Sequence, residues 1–262
     1  MMKIDFYKYQ GTGNDFILLD NRAHQYPLTA RQVNFLCNRR FGIGADGLML
    51  LQERTGYDFE MTYYNSDGNT STMCGNGGRC ILKFASMLGI RKSKYHFVAI
   101  DGPHEGEIDL NGEVRLKMKD VNHVEMDHLH YVLDTGSPHY IKNVSDARHI
   151  DVVKEGREIR YSKEFAEEGI NVNFVETIDV DTIYVRTYER GVEDETYSCG
   201  TGVTAAALIA AHNDNGFNRV EVQTLGGKLS VEYEKMGEQE FRNIWLCGPA
   251  ELVFRGSIEI NL

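Results

Sequence analysis

The feature that most constrains this chain is that it contains itself twice. The stretch Thr62-Tyr-Tyr-Asn-Ser-Asp-Gly-Asn-Thr-Ser-Thr-Met-Cys74-Gly-Asn-Gly lies without a gap on Thr187-Tyr-Glu-Arg-Gly-Val-Glu-Asp-Glu-Thr-Tyr-Ser-Cys199-Gly-Thr-Gly, which sets the two cysteines 125 positions apart. A second pair of loops, Thr12-Gly-Asn-Asp-Phe16 and Thr135-Gly-Ser-Pro-His139, keeps an offset of 123. Two markers in order and in register point to an internal duplication whose unit is too long for a solenoid repeat. A chain of 262 residues then divides into two domains of ~130 residues, each long enough to bury a core.

The local pattern is similar in both halves. Runs at 3–9, 57–64, 95–100, 113–119, 182–188, 219–224 and 228–233 are rich in β-branched and aromatic residues with rough alternation, and read as strands. Helices are fewer. Residues 29–40 carry an N-cap candidate, Thr29, with apolar spacing at Val33, Leu36 and Cys37. Residues 80–88 and 205–211 are apolar on nearly every face, so each is expected to be enclosed by protein. The expected fold is therefore α+β: two similar domains, each a curved mixed sheet wrapped around a central helix and related by a pseudo-twofold duplication. The halves are placed at 1–117 and 118–249, with a C-terminal strand at 250–262 expected to join the first.

Bulk properties narrow the partners. A net charge of −11 with no offsetting run of Lys or Arg disfavours nucleic acid and anionic membrane, whereas a small zwitterionic ligand meets no such barrier. The opening residues lack a basic start and apolar core, and no stretch approaches the ~20 apolar residues of a membrane span, so a cytoplasmic location is expected. Five cysteines (Cys37, Cys74, Cys80, Cys199, Cys247) in a reducing compartment suit thiol chemistry or plain burial better than a disulfide framework.

Cys74-Gly-Asn-Gly and Cys199-Gly-Thr-Gly each set a thiol just before a helix. Unpaired amides and the positive end of the helix dipole stabilise a thiolate there, and the same donors can hold a carboxylate. Inverting a stereocentre needs a base on one face and an acid on the other, which a duplicated domain pair can supply. A single nucleophilic cysteine would want an adjacent His, which neither motif carries; His139 is the best His for a secondary role. No metal is expected, because the five residues between Cys74 and Cys80 are unlike a zinc knuckle, and no Cys-x-x-Cys supports a redox dithiol. Gly11-Thr-Gly13 lacks the third glycine and following helix of a dinucleotide loop, so no cofactor is expected.

With those residues in place, the chain resembles the diaminopimelate epimerases. The matching motifs are Gly11-Thr-Gly-Asn-Asp-Phe16, Arg40-Phe-Gly-Ile-Gly-Ala-Asp-Gly47, Asn65-Ser-Asp-Gly68, Met73-Cys-Gly-Asn-Gly-Gly-Arg-Cys80, Thr135-Gly-Ser-Pro-His139, Glu189-Arg-Gly191 and Ser198-Cys-Gly-Thr-Gly202. The resemblance implies a cofactor-independent isomerase that converts LL-2,6-diaminopimelate to the meso form in lysine biosynthesis, working as a cytoplasmic homodimer. It implies Cys74 and Cys199 as the acid/base pair, and Gly75, Asn76, Gly200 and Thr201 as receivers of the reacting carboxylate. Asn14 matches a substrate contact; Asn65, Asn171, Glu189 and Arg190 match the set that holds the distal amino-acid group. His139 and Glu189 match positions that support the thiols. The chain departs from the family at Ser137, where many members carry Asn, and at Gly47, where many carry Gln. Its Gly191-Val-Glu-Asp-Glu-Thr196 is also one residue longer and more acidic than usual.

Overall fold

The computed structural model describes residues 1–127, 129–210 and 214–260. They form two compact units, Met1–Leu116 with Pro249–Leu262, and Lys117–Gly248. The expected helical residue Ala211 and the chain's last two residues, Asn261 and Leu262, lie outside the described residues.

The first unit runs strand Met2–Gly11, strand Asn14–Asp20, helix α1 (Ala30–Cys37), strands Gly47–Gln52 and Phe59–Asn65, a two-residue strand Thr70–Ser71, helix α2 (Gly75–Met87), and strands Lys94–Ala99, Gly102–Ile108 and Val114–Lys117. The second repeats the order. It runs strands Tyr131–Asp134 and Pro138–Asn143, helix α3 (Val152–Arg160), strands Asn171–Asp179, Thr182–Glu189 and Asp194–Thr196, helix α4 (Gly200–Ala210), and strands Gly216–Thr224, Gly227–Lys235 and Phe241–Gly248. Helices α2 and α4 begin 125 positions apart, the same offset as the cysteines.

Register confirms the duplication strand by strand. Asn14–Asp20 runs parallel to Gly47–Gln52 with Phe16 opposite Gly47, and Pro138–Asn143 runs parallel to Asn171–Asp179 with His139 opposite Asn171. A second parallel pair follows in each unit, Phe59 opposite Phe97 and Thr182 opposite Glu221. The remaining neighbours are antiparallel, so both sheets are mixed. In the first unit the strand Glu251–Ile260 closes one side by pairing antiparallel with Met2–Gly11, Met2 opposite Ile260.

Alternation along the strands builds two layers of core. In the first unit Ile4, Phe6, Ile17, Leu19, Leu48 and Leu50 pack with Val33, Leu36 and Cys37 of α1. Intervening residues such as Met49 face α2, which packs against four strands of its sheet. That enclosure explains why α2 is buried on nearly every side, all of Gly75 through Ala85 except the half-buried Lys83. In the second unit Val172, Phe174 and Tyr188 pack with Val152 of α3, while α4 lies over the opposite face of the same strands. Among the described residues, no helix is long and apolar enough to cross a membrane.

The helices differ from the sequence reading: α1 spans Ala30–Cys37, with Thr29 as its N-cap, where 29–40 was expected. Both α2 and α4 start five residues earlier than expected, taking in the glycine loops. The glycines are there for space as much as for turning: a Cβ on Gly77 would stand 2.1 Å from Met49 Cε, and one on Gly78 would stand 2.7 Å from Leu116 Cδ2. Helix α3 went unread because it lies on the surface, burying only Val152 and Gly156.

Candidate active site

In the first unit Cys74 is the N-cap of α2, in extended backbone (φ −106°, ψ 145°), and its Sγ accepts a hydrogen bond from the Gly77 amide at 3.2 Å. Its carbonyl accepts from the Gly78 amide at 2.7 Å, opening the helix. The amides of Gly75 and Asn76 then fall in the first turn, where a helix provides no carbonyl acceptor of its own. Such donors suit a carboxylate, and the dipole at this end favours negative charge.

Asn14 reaches the same place from the neighbouring hairpin. Its Oδ1 lies 3.9 Å from Cys74 Sγ and accepts from Asn76 Nδ2 at 3.4 Å, while its Nδ2 donates to Asp46 Oδ2 at 2.6 Å. The turn before it needs left-handed backbone at Thr12 and Gly13 (φ 48° and 85°). Behind stand Asp46, Arg39, Asp15 and Lys8: Arg39 bridges Asp15 and Asp46 at 2.7 Å each, and Lys8 reaches Asp15 at 2.7 Å and donates to the Gly44 carbonyl. Burial works to raise the Asp15 carboxyl, but hydrogen bonds from Arg39 and Lys8 and their charges outweigh it and hold Asp15 far below the ordinary carboxylate range.

Arg79 is a participant that sequence reasoning missed. It is wholly buried, and its guanidinium donates to Gly75 O (3.1 Å), Asn76 Oδ1 (3.0 Å), Thr12 Oγ1 (3.2 Å) and Pro249 O (3.3 Å). It thereby fixes the Asn76 side chain and the turn that carries Asn14. An arginine directly before the apolar run Cys80-Ile-Leu, one turn after the glycine-rich entrance, was the available signal.

In the second unit Cys199 stands at the corresponding point, its carbonyl accepting from the Val203 amide at 2.8 Å as α4 opens. It is 8% exposed. Its Sγ lies 3.4 Å from Thr201 Oγ1, which lies 3.2 Å from Ser137 Oγ, which lies 3.0 Å from His139 Nε2. Asn171 Nδ2 donates to Ser137 Oγ at 3.2 Å and to Pro138 O at 3.1 Å, and Asn171 Oδ1 accepts from the Arg190 amide at 2.8 Å. Asn173, also missed, donates through Nδ2 to His139 Nδ1 and to Tyr140 O at 3.1 Å each, and accepts from Thr187 Oγ1 at 2.9 Å. Buried asparagines at alternate positions of an otherwise apolar strand were the visible signal.

His139 is completely buried; desolvation dominates, assisted by the Arg190 charge and opposed by Asp134, and pushes its pKa down to about 3. The ring is therefore neutral at working pH. Gly200 and Thr201 supply the first-turn amides of α4. Gly202 is required by what it faces, since a Cβ would stand 2.4 Å from Asn173 Oδ1.

The other expected site residues sit at strand ends. Asn65 is exposed at the end of Phe59–Asn65, opposite Gly47. A Cβ on Gly47 would stand 2.5 Å from the Tyr63 ring and 2.7 Å from the Tyr64 carbonyl oxygen, so a longer residue here requires its neighbours to shift. Glu189 ends Thr182–Glu189, opposite Asp194, and Arg190 Nη1 donates to Glu168 O at 2.9 Å, close over Gly169, whose φ of +75° suits glycine. The longer acidic turn folds Glu193 back onto the Tyr188 hydroxyl (3.1 Å), the Gly191 amide (3.1 Å) and Arg160 (3.5 Å).

The remaining thiols are sealed in cores. Burial pushes Cys37 up to about 12, and burial likewise raises Cys80, Arg79 pulling it back and Cys74 adding to the rise. Cys247 is buried as well. Among the described residues no cluster of three His, Cys, Asp or Glu could hold a metal ion.

Comparison with known proteins adds the lineage. Solved structures sharing the fold include a phenazine biosynthesis protein of the PhzF family from Bacillus anthracis, with TM-score 0.77 and 16% identity over 99% of this chain and 100% of that one. A hydroxyproline epimerase from Agrobacterium vitis follows at TM-score 0.68 and 12% identity, covering 98% and 92%. Curated sequences are much nearer. A diaminopimelate epimerase from Flavobacterium psychrophilum is 49% identical over 96% of this chain and 99% of its own, and one from Chlorobaculum tepidum is 44% identical over 95% and 99%. The diaminopimelate epimerase profile matches residues 6–126 and 131–253, one stretch for each copy of the repeat, and the chain belongs to that family of isomerases.

Proposed function

We propose that this chain interconverts LL- and meso-2,6-diaminopimelate by moving one α-proton between Cys74 and Cys199, without a cofactor. The observation that carries the reading is the repetition of one device, a cysteine at the entrance of an enclosed helix with glycine-rich first-turn amides beside it, in both copies of a duplicated unit of this family. A thiolate takes the α-hydrogen as a proton, leaving the electron pair on the α-carbon. The pair delocalises into the carboxylate, whose growing charge the amides of Gly75, Asn76, Gly200 and Thr201 are suited to receive. The opposite thiol then gives its proton to the other face, and the two sulfurs have exchanged protonation states.

Substrate choice rests on the nearby relatives, which are named for diaminopimelate. Arg190 can take a second carboxylate through parallel hydrogen bonds, and Glu189, Asn65 and Asn171 can accept from the distal ammonium or orient it. The same reading places the enzyme in the cytoplasm, as a homodimer, on the route to lysine. Purified enzyme in deuterated water, with no pyridoxal phosphate or metal added, is expected to exchange the α-hydrogen of diaminopimelate, followed by NMR. Exchange of proline or hydroxyproline with diaminopimelate left untouched would overturn the assignment. Oxidants are expected to inactivate the enzyme by joining Cys74 to Cys199, reductants to restore it, and peptide mapping of the bond to identify the pair.

A further inference from the structure

The two copies differ in what stands behind each thiol. Asn14 and Ser137 occupy corresponding loop positions, as do Asn76 and Thr201 beside the cysteines. Strand register carries the comparison deeper: Phe16 corresponds to His139, and Met49 to Asn173. Met49 Cε is the atom facing Gly77, and Asn173 Oδ1 the atom facing Gly202. An apolar pair in the first copy is thus a polar one in the second.

The polar copy has a fixed hydrogen-bond direction. The Tyr140 carbonyl can only accept, so the Asn173 amide must present Nδ2 to it, and the same NH2 group donates to His139 Nδ1. Being neutral, the ring then carries its proton on Nε2 and donates it to Ser137 Oγ. Asn171 is oriented likewise, its NH2 on the Pro138 carbonyl and its oxygen on the Arg190 amide, so it too donates to Ser137 Oγ. With both lone pairs used, Ser137 gives its own proton to Thr201 Oγ1. The two partners of that hydroxyl among the described residues are Ser137 and the Cys199 sulfur, so its proton points at the sulfur.

In the first copy no hydroxyl stands in that place: the Cys74 sulfur accepts from the Gly77 amide at 3.2 Å, and Asp46 fixes the Asn14 NH2, so that Asn14 Oδ1 lies toward the sulfur at 3.9 Å. The charges that act on His139, at the far end of the relay from Cys199, are Asp134 and Arg190; those near Cys74 are Asp46 and Arg39 behind Asn14, and Arg79 behind Asn76.

From this geometry we infer that Ser137 and Thr201 are positioning residues: the hydroxyl relay from His139 through Ser137 and Thr201 stabilises Cys199 as the thiolate. The inference rests on the two-cysteine reading, yet its test needs no substrate. The pH dependence of methyl methanethiosulfonate modification, read separately at each cysteine by peptide mass spectrometry in the intact enzyme, is expected to show Cys199 reaching half reactivity below the ~8.5 of an ordinary thiol. Thr201→Val is expected to raise the Cys199 midpoint by about one pH unit, the size of one hydrogen bond to a charged sulfur, with the Cys74 midpoint unmoved, and Thr201→Ser to restore it. Ser137→Ala is expected to move it part of the way. A Cys199 midpoint at or above that ordinary value in the unmodified enzyme overturns the inference even if every variant misfolds, as does a folded Thr201→Val enzyme with an unchanged Cys199 midpoint. Loss of α-proton exchange in Cys74→Ala or Cys199→Ala belongs to the underlying reading and leaves these midpoints to be judged alone.

Discussion

At the scale of single residues, the five cysteines divide by where each sulfur sits. Cys37 and Cys80 are thiols in cores, held up by desolvation, whereas Cys74 and Cys199 stand at helix entrances beside amide and hydroxyl donors. Replacing either entrance cysteine by Ala is expected to lower turnover by roughly 10²–10⁴-fold or more, the usual worth of a general acid or base, with circular dichroism unchanged. Replacing Cys37 by Ala or Ser is expected to touch stability and leave the mechanism intact. His139 makes a different prediction. Its pKa in the fold lies at about 3, far below the ~6.5 of an unfolded chain, so between those values the unfolded state binds a proton that the native state refuses. Its contribution is present above about pH 6.5 and is lost as pH falls toward 3; His139→Gln should flatten that limb in urea titrations made across the range. The thiols were legible in sequence because glycines and a repeated spacing marked them. Arg79 and Asn173 were not, because their importance comes from contacts 67 and 34 residues away in the chain, to Thr12 and His139.

At the scale of elements, the duplication was readable because the helix-entrance loops carry glycines at the same spacing in both halves, while the strands between them share little beyond apolar character and length. Strands with clean alternation, such as Phe59–Asn65, were recognisable. Gly47–Gln52 and Asn14–Asp20 were missed: they are buried on both faces, so their side chains show an apolar run with no period of two. The entrance glycines give the sharpest test of packing at this level. Gly202→Ala pushes a methyl into Asn173 Oδ1 (2.4 Å) and His139 Cε1 (3.2 Å), a rigid, buried pair. The expected penalty is ~1–3 kcal/mol of overpacking, a fall in melting temperature of roughly 2–10 °C, with turnover reduced through displaced α4. Gly56→Ala is the control, since nothing lies within 4 Å of that position, although its φ of +86° carries a modest strain of its own.

At the scale of the whole molecule, one chain connection crosses the symmetry of the repeat. The second unit, Lys117–Gly248, is continuous in sequence, but the first is completed by residues that follow it, with Glu251–Ile260 laddered to Met2–Gly11. Synthesis on the ribosome proceeds from the N-terminus, so the half made first must wait for the last ten residues of strand before its sheet is whole, and the half made second can finish ahead of it. A nascent chain arrested after residue 248 has emerged is expected to protect 117–248 from protease while 1–116 remains open to cleavage. The waiting period leaves the Met2–Gly11 backbone as an unsatisfied template, which in a crowded cell makes the speed of translation through residues 249–260, and any chaperone acting in that interval, a determinant of yield.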